Sequence, residues 1–247
     1  MMTETFKNTE TPIISVIGIG EDSKKYIDEI KGWNSPLVSS KMLDRDYTGP
    51  GGGIEMVILI VTENVDATIL AKNLKQSGLL TLIVTTWEIR AMEGSYDSIA
   101  VVSEDKVIDT VKTVTEILTK PPRYICLDFN DLGHVMKDSG TFQTFFHKST
   151  IEKGAVTPVA NQLQEKLKGL PSLEKLLVNI TLSTEGREHL KMEELAFIQK
   201  FFSTLPAGIQ VLWGLDATDN LSSDELTINV IATGIQLRRF SLLQRPD

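Results

Sequence analysis

The stretch KVIDTVKTVTEILTK (residues 106–120), followed by Pro121 and Pro122 and then ICLDFNDLGHVM (residues 125–136), decides the fold. Val107, Val111, Val114 and Leu118 recur at i, i+4, i+7 and i+11, the spacing of one buried helix face. The two prolines cannot continue the hydrogen-bond ladder, so the helix stops near Lys120. Thr110, Thr113 and Thr115 join the β-branched apolar residues in lowering intrinsic helix propensity, so burial on several sides has to hold this helix. The pattern predicts a central helix between two lobes, feeding a loop that carries Asp128 and Asp131. An isolated Asp-x-x-Asp reads as a strand end whose Asp131 caps the next helix. The alternative is a pair of carboxylates that polarises a water against a phosphate.

Upstream, IISVIGIG (residues 13–20) reads as a buried strand running into Gly-x-Gly, and EDSKKYIDEI (residues 21–30) as a helix. Strand, glycine turn and helix are the layout that offers backbone N–H groups to a phosphate. A Rossmann fingerprint would place a third glycine where Ser23 stands, and the Gly-Lys-Ser/Thr of a Walker loop is absent. Residues 33–53, containing Pro36, Pro50 and GPGGG (residues 49–53), read as a polar connection with a flexible glycine turn. IEMVILIV (residues 54–61), a helix over 67–76 stopped by Gly78, and a strand over 79–85 form a βαβ unit, which implies a parallel sheet.

Downstream, strands are expected over 176–182, 209–216 and 225–234. A helix is expected over 159–167, and another opens at 190–195 with Leu195, Ile198, Phe202 and Leu205 on one face. Phe142, Phe145 and Phe146 fall at helical spacing and read as core. His134, His147 and His189 are far apart and lack metal spacing. A cation bridging Glu21, Asp22, Glu63 and Asp66 is the other metal arrangement available, though acidic helix N-termini are commonplace.

At 247 residues and 41% hydrophobic content the chain can bury a sizeable core as one large or two small domains. A net charge of −8 and a pI near 5.0 argue against nucleic acid or an anionic membrane as partner. Arg238, Arg239 and Arg245 make only a small basic end. One cysteine, Cys126, excludes an intrachain disulfide and a multi-cysteine metal site. Residues 1–10 lack an apolar segment, and the longest apolar run, 56–61, is too short to span a bilayer, so the expected location is cytoplasmic.

Several pieces resemble FtsZ, the bacterial relative of tubulin. They are LDFNDL (127–132) with HVM and Gly140-Thr141 after it, YDSIAVVSEDK (96–106), LVNIT (177–181), LKMEEL (190–195) and DELTINVIATG (224–234), in the family's order. The resemblance implies an α/β tubulin-like fold. Its parts would be a reduced Rossmann-like GTPase lobe with a parallel sheet (11–105), a central helix and linker (106–124), and a C-terminal α+β lobe (125–240). It places the nucleotide site at Gly18, Gly20, Thr62, Asn64 and Asp105, and gives Asp128 and Asp131 a catalytic part in trans, in the site of a neighbouring subunit. The chain departs from the family at both phosphate loops. Glu21 and Asp22 replace a run of glycines, and Thr62-Glu-Asn-Val-Asp66 replaces the glycine-rich signature, so backbone N–H groups cannot turn inward and added carboxylates repel phosphate. Cys126 stands where the family has asparagine. The resemblance therefore implies a filament subunit, regulator or cap without hydrolytic activity and without a cofactor. Its partner is itself or a genuine FtsZ-like GTPase. The alternative is a polymerising GTPase that binds GTP and magnesium through an altered pocket.

Overall fold

The computed structural model describes residues 12–44, 47–62, 65–87, 94–119, 124–150, 165–167, 170, 172–185, 196, 199–200, 202–203, 205 and 207–234. The chain divides into two compact units, residues 1–120 and 121–247.

In the first unit, β1 (Ile14–Ile19), β3 (Met56–Val61) and β4 (Leu80–Thr85) are buried at every position. Uninterrupted apolar strands of this kind need cover on both faces, which is the condition of a parallel sheet. The order is β2-β1-β3-β4-β5, all parallel, with β2 Val38–Met42 and β5 Ser98–Val101. Helix α1 (Lys24–Lys31) buries Tyr26, Ile27 and Ile30, and α2 (Thr68–Gln76) buries Ala71 and Leu74. Gly78, at φ 85°, follows α2 and adopts the left-handed backbone expected of a helix stop.

The edge strand β2 corrects the reading of residues 33–53 as a polar connection. Its sequence, VSSKM, is half-buried throughout and has no apolar periodicity, so only pairing with β1 reveals it. Glycine at 18 is what lets β2 and α1 close on β1. A Cβ there would lie 2.7 Å from Ile27 Cγ1, 2.7 Å from Ser23 Oγ and 2.9 Å from Met42 Sδ.

Helix α3 spans Val107–Thr119 and ends just ahead of the two prolines. Val107, Thr110, Val111, Thr113, Val114, Thr115 and Ile117 are all buried, which is more than one face. The burial expected from its weak propensity is met. Asp97, also buried, accepts from Thr81 N at 2.8 Å and pairs with Lys75 at 3.5 Å, tying the approach to β5 onto α2 and β4.

The second unit is built on a sheet with order β6-β9-β7-β8, comprising β6 Gly140–Thr150, β7 Lys175–Ser183, β8 Gln210–Thr218 and β9 Glu225–Thr233. β9 runs antiparallel to both β6 and β7, and β8 is parallel to β7. One face is apolar: Leu176, Val178, Ile180 and Leu182 meet Leu226, Ile228, Val230 and Ala232, with Leu215 and half-buried Trp213 and Phe202. The other face carries buried Asn179, Thr181, Thr227 and Asn229. Helix α4 (Phe129–Met136) packs on β7 and buries Leu132, Val135 and Met136, while Thr233 Oγ1 donates to Val135 O at 3.2 Å.

Phe142, Phe145 and Phe146 lie on β6 and not on a helix. Their i, i+3, i+4 spacing suits one helix face, but pairing with β9 makes the segment a strand, on which Phe145 lies on the face opposite to Phe142 and Phe146. Phe142 is buried, Phe145 is half-buried against the apolar cluster, and Phe146 is exposed. The helix expected at 159–167 falls within the described residues only at 165–167, which are helical. The opening of the 190–195 helix, His189 and Arg238, Arg239 and Arg245 lie outside them. Among the described residues no helix is long and apolar enough to cross a membrane.

Two substitutions test this packing in urea denaturation. Phe142→Ala is expected to destabilise by about 3–5 kcal/mol and Phe146→Ala by roughly 0.5 kcal/mol or less, where a helical core face would make both costly. Gly18→Ala is expected to lose about 1–3 kcal/mol by overpacking; an unchanged midpoint would show that β2 and α1 do not close on this residue.

Candidate functional site

The register of the parallel sheet aligns Ile19, Val61, Thr85 and Val101, the last residues of β1, β3, β4 and β5. With strands about 4.8 Å apart, the loops that follow emerge side by side. Gly18, Gly20, Thr62 and Asp105 are thereby brought to one end of one sheet, and Asn64 lies outside the described residues.

The loops at this end make several hydrogen bonds of their own. Gly20, at φ 88°, turns the chain out of β1. Ser23 then donates twice to Gly20 O, from its backbone N at 3.1 Å and from Oγ at 2.6 Å. The hydroxyl thus stands where a third glycine would have left room. Glu21 and Asp22 lie exposed on the short 3-10 turn that precedes α1. After β3, the Asp66 carboxylate accepts from Thr68 N at 2.9 Å at the start of α2, and hydrogen bonding from Thr68 holds its pKa below the ordinary carboxylate value. A carboxylate of the chain itself occupies the helix end that a bound phosphate would use. After β4, the Trp87 indole Nε1–H donates to Thr62 O, joined by Thr86 Oγ1 at 3.4 Å. Trp87 N is held in turn by Thr85 Oγ1 at 3.1 Å.

Asp105 sits on a second 3-10 turn, Glu104–Lys106, ahead of α3. Ser103 Oγ donates to its carboxylate at 2.6 Å and lowers its pKa. The neighbouring Glu104 pairs with Lys25 at 2.8 Å, and Tyr26 OH donates to Glu104 O at 3.2 Å. Ser23 N, Thr68 N and Trp87 N thus have internal acceptors, and Glu21, Asp22 and Asp66 add negative charge at this end. Among the described residues, no group of three His, Cys, Asp or Glu side chains forms a metal site.

The carboxylate loop belongs to the second unit. Ile125 forms an antiparallel bridge with Leu215, each N–H donating to the other's carbonyl at 3.0 Å. Leu127 crosses Gly214 so closely that a Cβ there would lie 2.7 Å from Leu127 Cγ. The chain then enters α4 through a reciprocal capping box: Asp131 N donates to Asp128 Oδ1 at 2.9 Å and Asp128 N donates to Asp131 Oδ2 at 3.0 Å. The cap is therefore Asp128, with Asp131 reciprocating from the third helical position, which corrects the reading of Asp131 as the cap. Asp128 is exposed and Asp131 half-buried. One oxygen of each is engaged by the cap. His134 is exposed on α4, and its carbonyl receives Lys175 Nζ at 2.8 Å. His147, partly buried on β6, has its pKa lowered by burial and then by Lys166.

Two residues that shape the parallel-sheet end escaped the sequence reading. Ser23 counted there only as a missing glycine, and Trp87, two residues past the strand expected over 79–85, drew no reading at all. The signal for Trp87 is an indole placed directly after an apolar strand, where solvent exposure requires a use for its N–H.

No protein-family profile matches the sequence. Cell division protein FtsZ of Haloferax mediterranei is 24% identical over 255 residues, covering 87% of this chain and 62% of that protein. Cell division protein FtsZ 1 of Thermococcus kodakarensis is 30% identical over 137 residues, 54% of this chain and 35% of the relative. The chain thus spans less than two thirds of the length of these curated relatives. Among solved structures, an empty FtsZ dimer from M. jannaschii aligns with a TM-score of 0.67 at 16% identity, covering 98% of this chain and 96% of the other. TubZ of Bacillus thuringiensis serovar israelensis, in GDP-form protofilaments, aligns with a TM-score of 0.62 at 10% identity over 92% of this chain and 84% of the other. Structural likeness at such identity speaks for the fold, and the sequence matches to FtsZ agree with it. In sequence and in fold the chain is FtsZ-like, similar to the FtsZ proteins of the FtsZ/tubulin superfamily.

Proposed function

We propose that this protein is a non-hydrolysing component of an FtsZ-type division cytoskeleton, a filament subunit or, more specifically, a cap. It docks its Asp128/Asp131 loop on a neighbouring FtsZ-like GTPase. The observation that carries the reading is the internal satisfaction of the parallel-sheet end: Ser23 on Gly20, Asp66 on Thr68 and Trp87 on Thr62. In the family, the carboxylate loop of one subunit meets the nucleotide of the next. A molecule that keeps the loop but offers no nucleotide of its own joins a filament at one end and stops it there. No cofactor, nucleic acid or membrane is needed for this role, which places the protein in the cytoplasm with its filament.

The docking loop is preorganised. The Ile125–Leu215 bridge and the capping box fix the backbone before any partner arrives, which reduces the ordering entropy of association. Each carboxylate retains an oxygen outside the cap with which to face a partner's magnesium or attacking water.

A second reading, a polymerising GTPase with an altered pocket, draws support from those same oxygens. It would use Gly18, Gly20, Thr62, Asn64 and Asp105 for nucleotide, and Asp128 and Asp131 in trans. GTP-dependent sedimentation of the protein alone, accompanied by phosphate release, would favour it.

The test is polymer length of an archaeal FtsZ, by light scattering and electron microscopy, with and without this protein. Substoichiometric protein is expected to shorten the polymers, and unchanged length at equimolar dose would contradict the reading. Asp128→Asn is the informative variant. Asparagine serves as well as aspartate at an N-cap, so stability should stay within about 0.5 kcal/mol while capping of polymers falls. Asp128→Ala should instead destabilise by about 1 kcal/mol.

A further inference from the structure

Three large apolar side chains are exposed where β3 and β4 end: Val65 at 38%, Ile69 at 73% and Trp87 at 53%. Single exposed apolar residues are ordinary on a protein surface, whereas a group at one strand end marks an interaction surface. Val65 and Ile69 stand four residues apart across the start of α2, and the Trp87 indole is anchored on Thr62, three residues before Val65. Exposed carboxylates lie beside them, with Lys24, Lys25 and Lys72 exposed further along α1 and α2. Glu21 and Asp22 leave β1 in the adjoining register, and Asp66 lies between Val65 and Ile69 in sequence; all three are exposed. At the base, Thr62 is 7% exposed and its Oγ1 has no hydrogen-bond partner among the described residues.

We propose that this end of the parallel sheet is a docking surface for a cationic amphipathic segment of a partner protein. Its apolar side chains would cover Val65, Ile69 and Trp87, and its lysines or arginines would face Glu21, Asp22 and Asp66. The proposal rests on the reading that no nucleotide fills this end. Charge complementarity selects the occupant. A second copy presenting its Asp128/Asp131 loop would set carboxylates against carboxylates, which costs affinity wherever the contact excludes water. Nucleic acid and anionic lipid meet the same repulsion, reinforced by the net charge of −8. A cationic segment with an apolar face satisfies both features of the surface at once.

The experiment uses the full chain and a dye-labelled synthetic helical peptide of leucine and lysine, with a leucine–glutamate peptide of equal length as counterpart. Fluorescence anisotropy is expected to show binding of the lysine peptide, weakening as salt is raised, and none of the glutamate peptide. Ile69→Ser and Glu21→Lys should each weaken the lysine peptide by roughly tenfold. Both residues are exposed, so circular dichroism melting should be unchanged and a folding defect cannot mimic the result. Equal binding by wild type and both variants would overturn the proposal, as would equal binding of the glutamate peptide or no binding of the lysine peptide. Millimolar GTP with magnesium is expected to leave the bound peptide in place. Displacement by GTP would overturn the nucleotide-free reading and this proposal with it, whereas failure of the peptide alone would overturn only the docking surface.

Discussion

The in-register pairing of β1, β3 and β4 is the constraint from which the first unit follows. Three strands buried at every position must be covered on both faces, and that requirement recruits α1, α2 and α3, helices whose own propensities are modest. Pairing also sets the ends of the strands level, so that Gly20, Thr62 and Thr86 begin three loops in neighbouring positions. What those loops contain then decides the chemistry available at that end. Gly18 belongs to the same constraint: it is a glycine of packing, holding Ser23, Ile27 and Met42 close to the strand.

Phosphate binding at strand ends depends on N–H groups that the fold leaves without acceptors. Here the acceptors are supplied from within. Ser23 closes on Gly20, Asp66 accepts from Thr68 N at the start of α2, and the Trp87 indole takes the carbonyl that starts the second loop. Each arrangement is an ordinary turn contact, and apolar and acidic side chains are left exposed at this end. The carboxylate loop of the second unit shows the same economy of means. Its two aspartates hold the helix start by a reciprocal cap, so the residues that a partner would meet are also those that fix the loop.

Much of this was legible in the sequence because the informative signals are local. The period of Val107, Val111 and Val114 announced α3, the prolines announced its end, and the apolar runs 14–19, 56–61 and 80–85 announced buried parallel strands. The carboxylates at Glu21, Asp22 and Asp66 could also be read directly, since they are visible without coordinates. What escaped depends on partners distant in sequence. VSSKM becomes a strand only beside β1, and Phe142, Phe145 and Phe146 suit a helix until β9 pairs with them. Trp87 finds its acceptor 25 residues away, at Thr62. In the capping box the two aspartates were evident, yet which of them caps depends on where α4 begins, a boundary that spacing alone does not define.

The central claim is that the parallel-sheet end is closed to nucleotide by the chain's own groups. Isothermal calorimetry with GTP and with GDP, in magnesium, on protein freed of co-purified nucleotide, tests it most directly. No binding heat is expected up to millimolar nucleotide. Micromolar affinity for either would contradict it, because Ser23, Asp66 and Trp87 would then have to release the groups they hold.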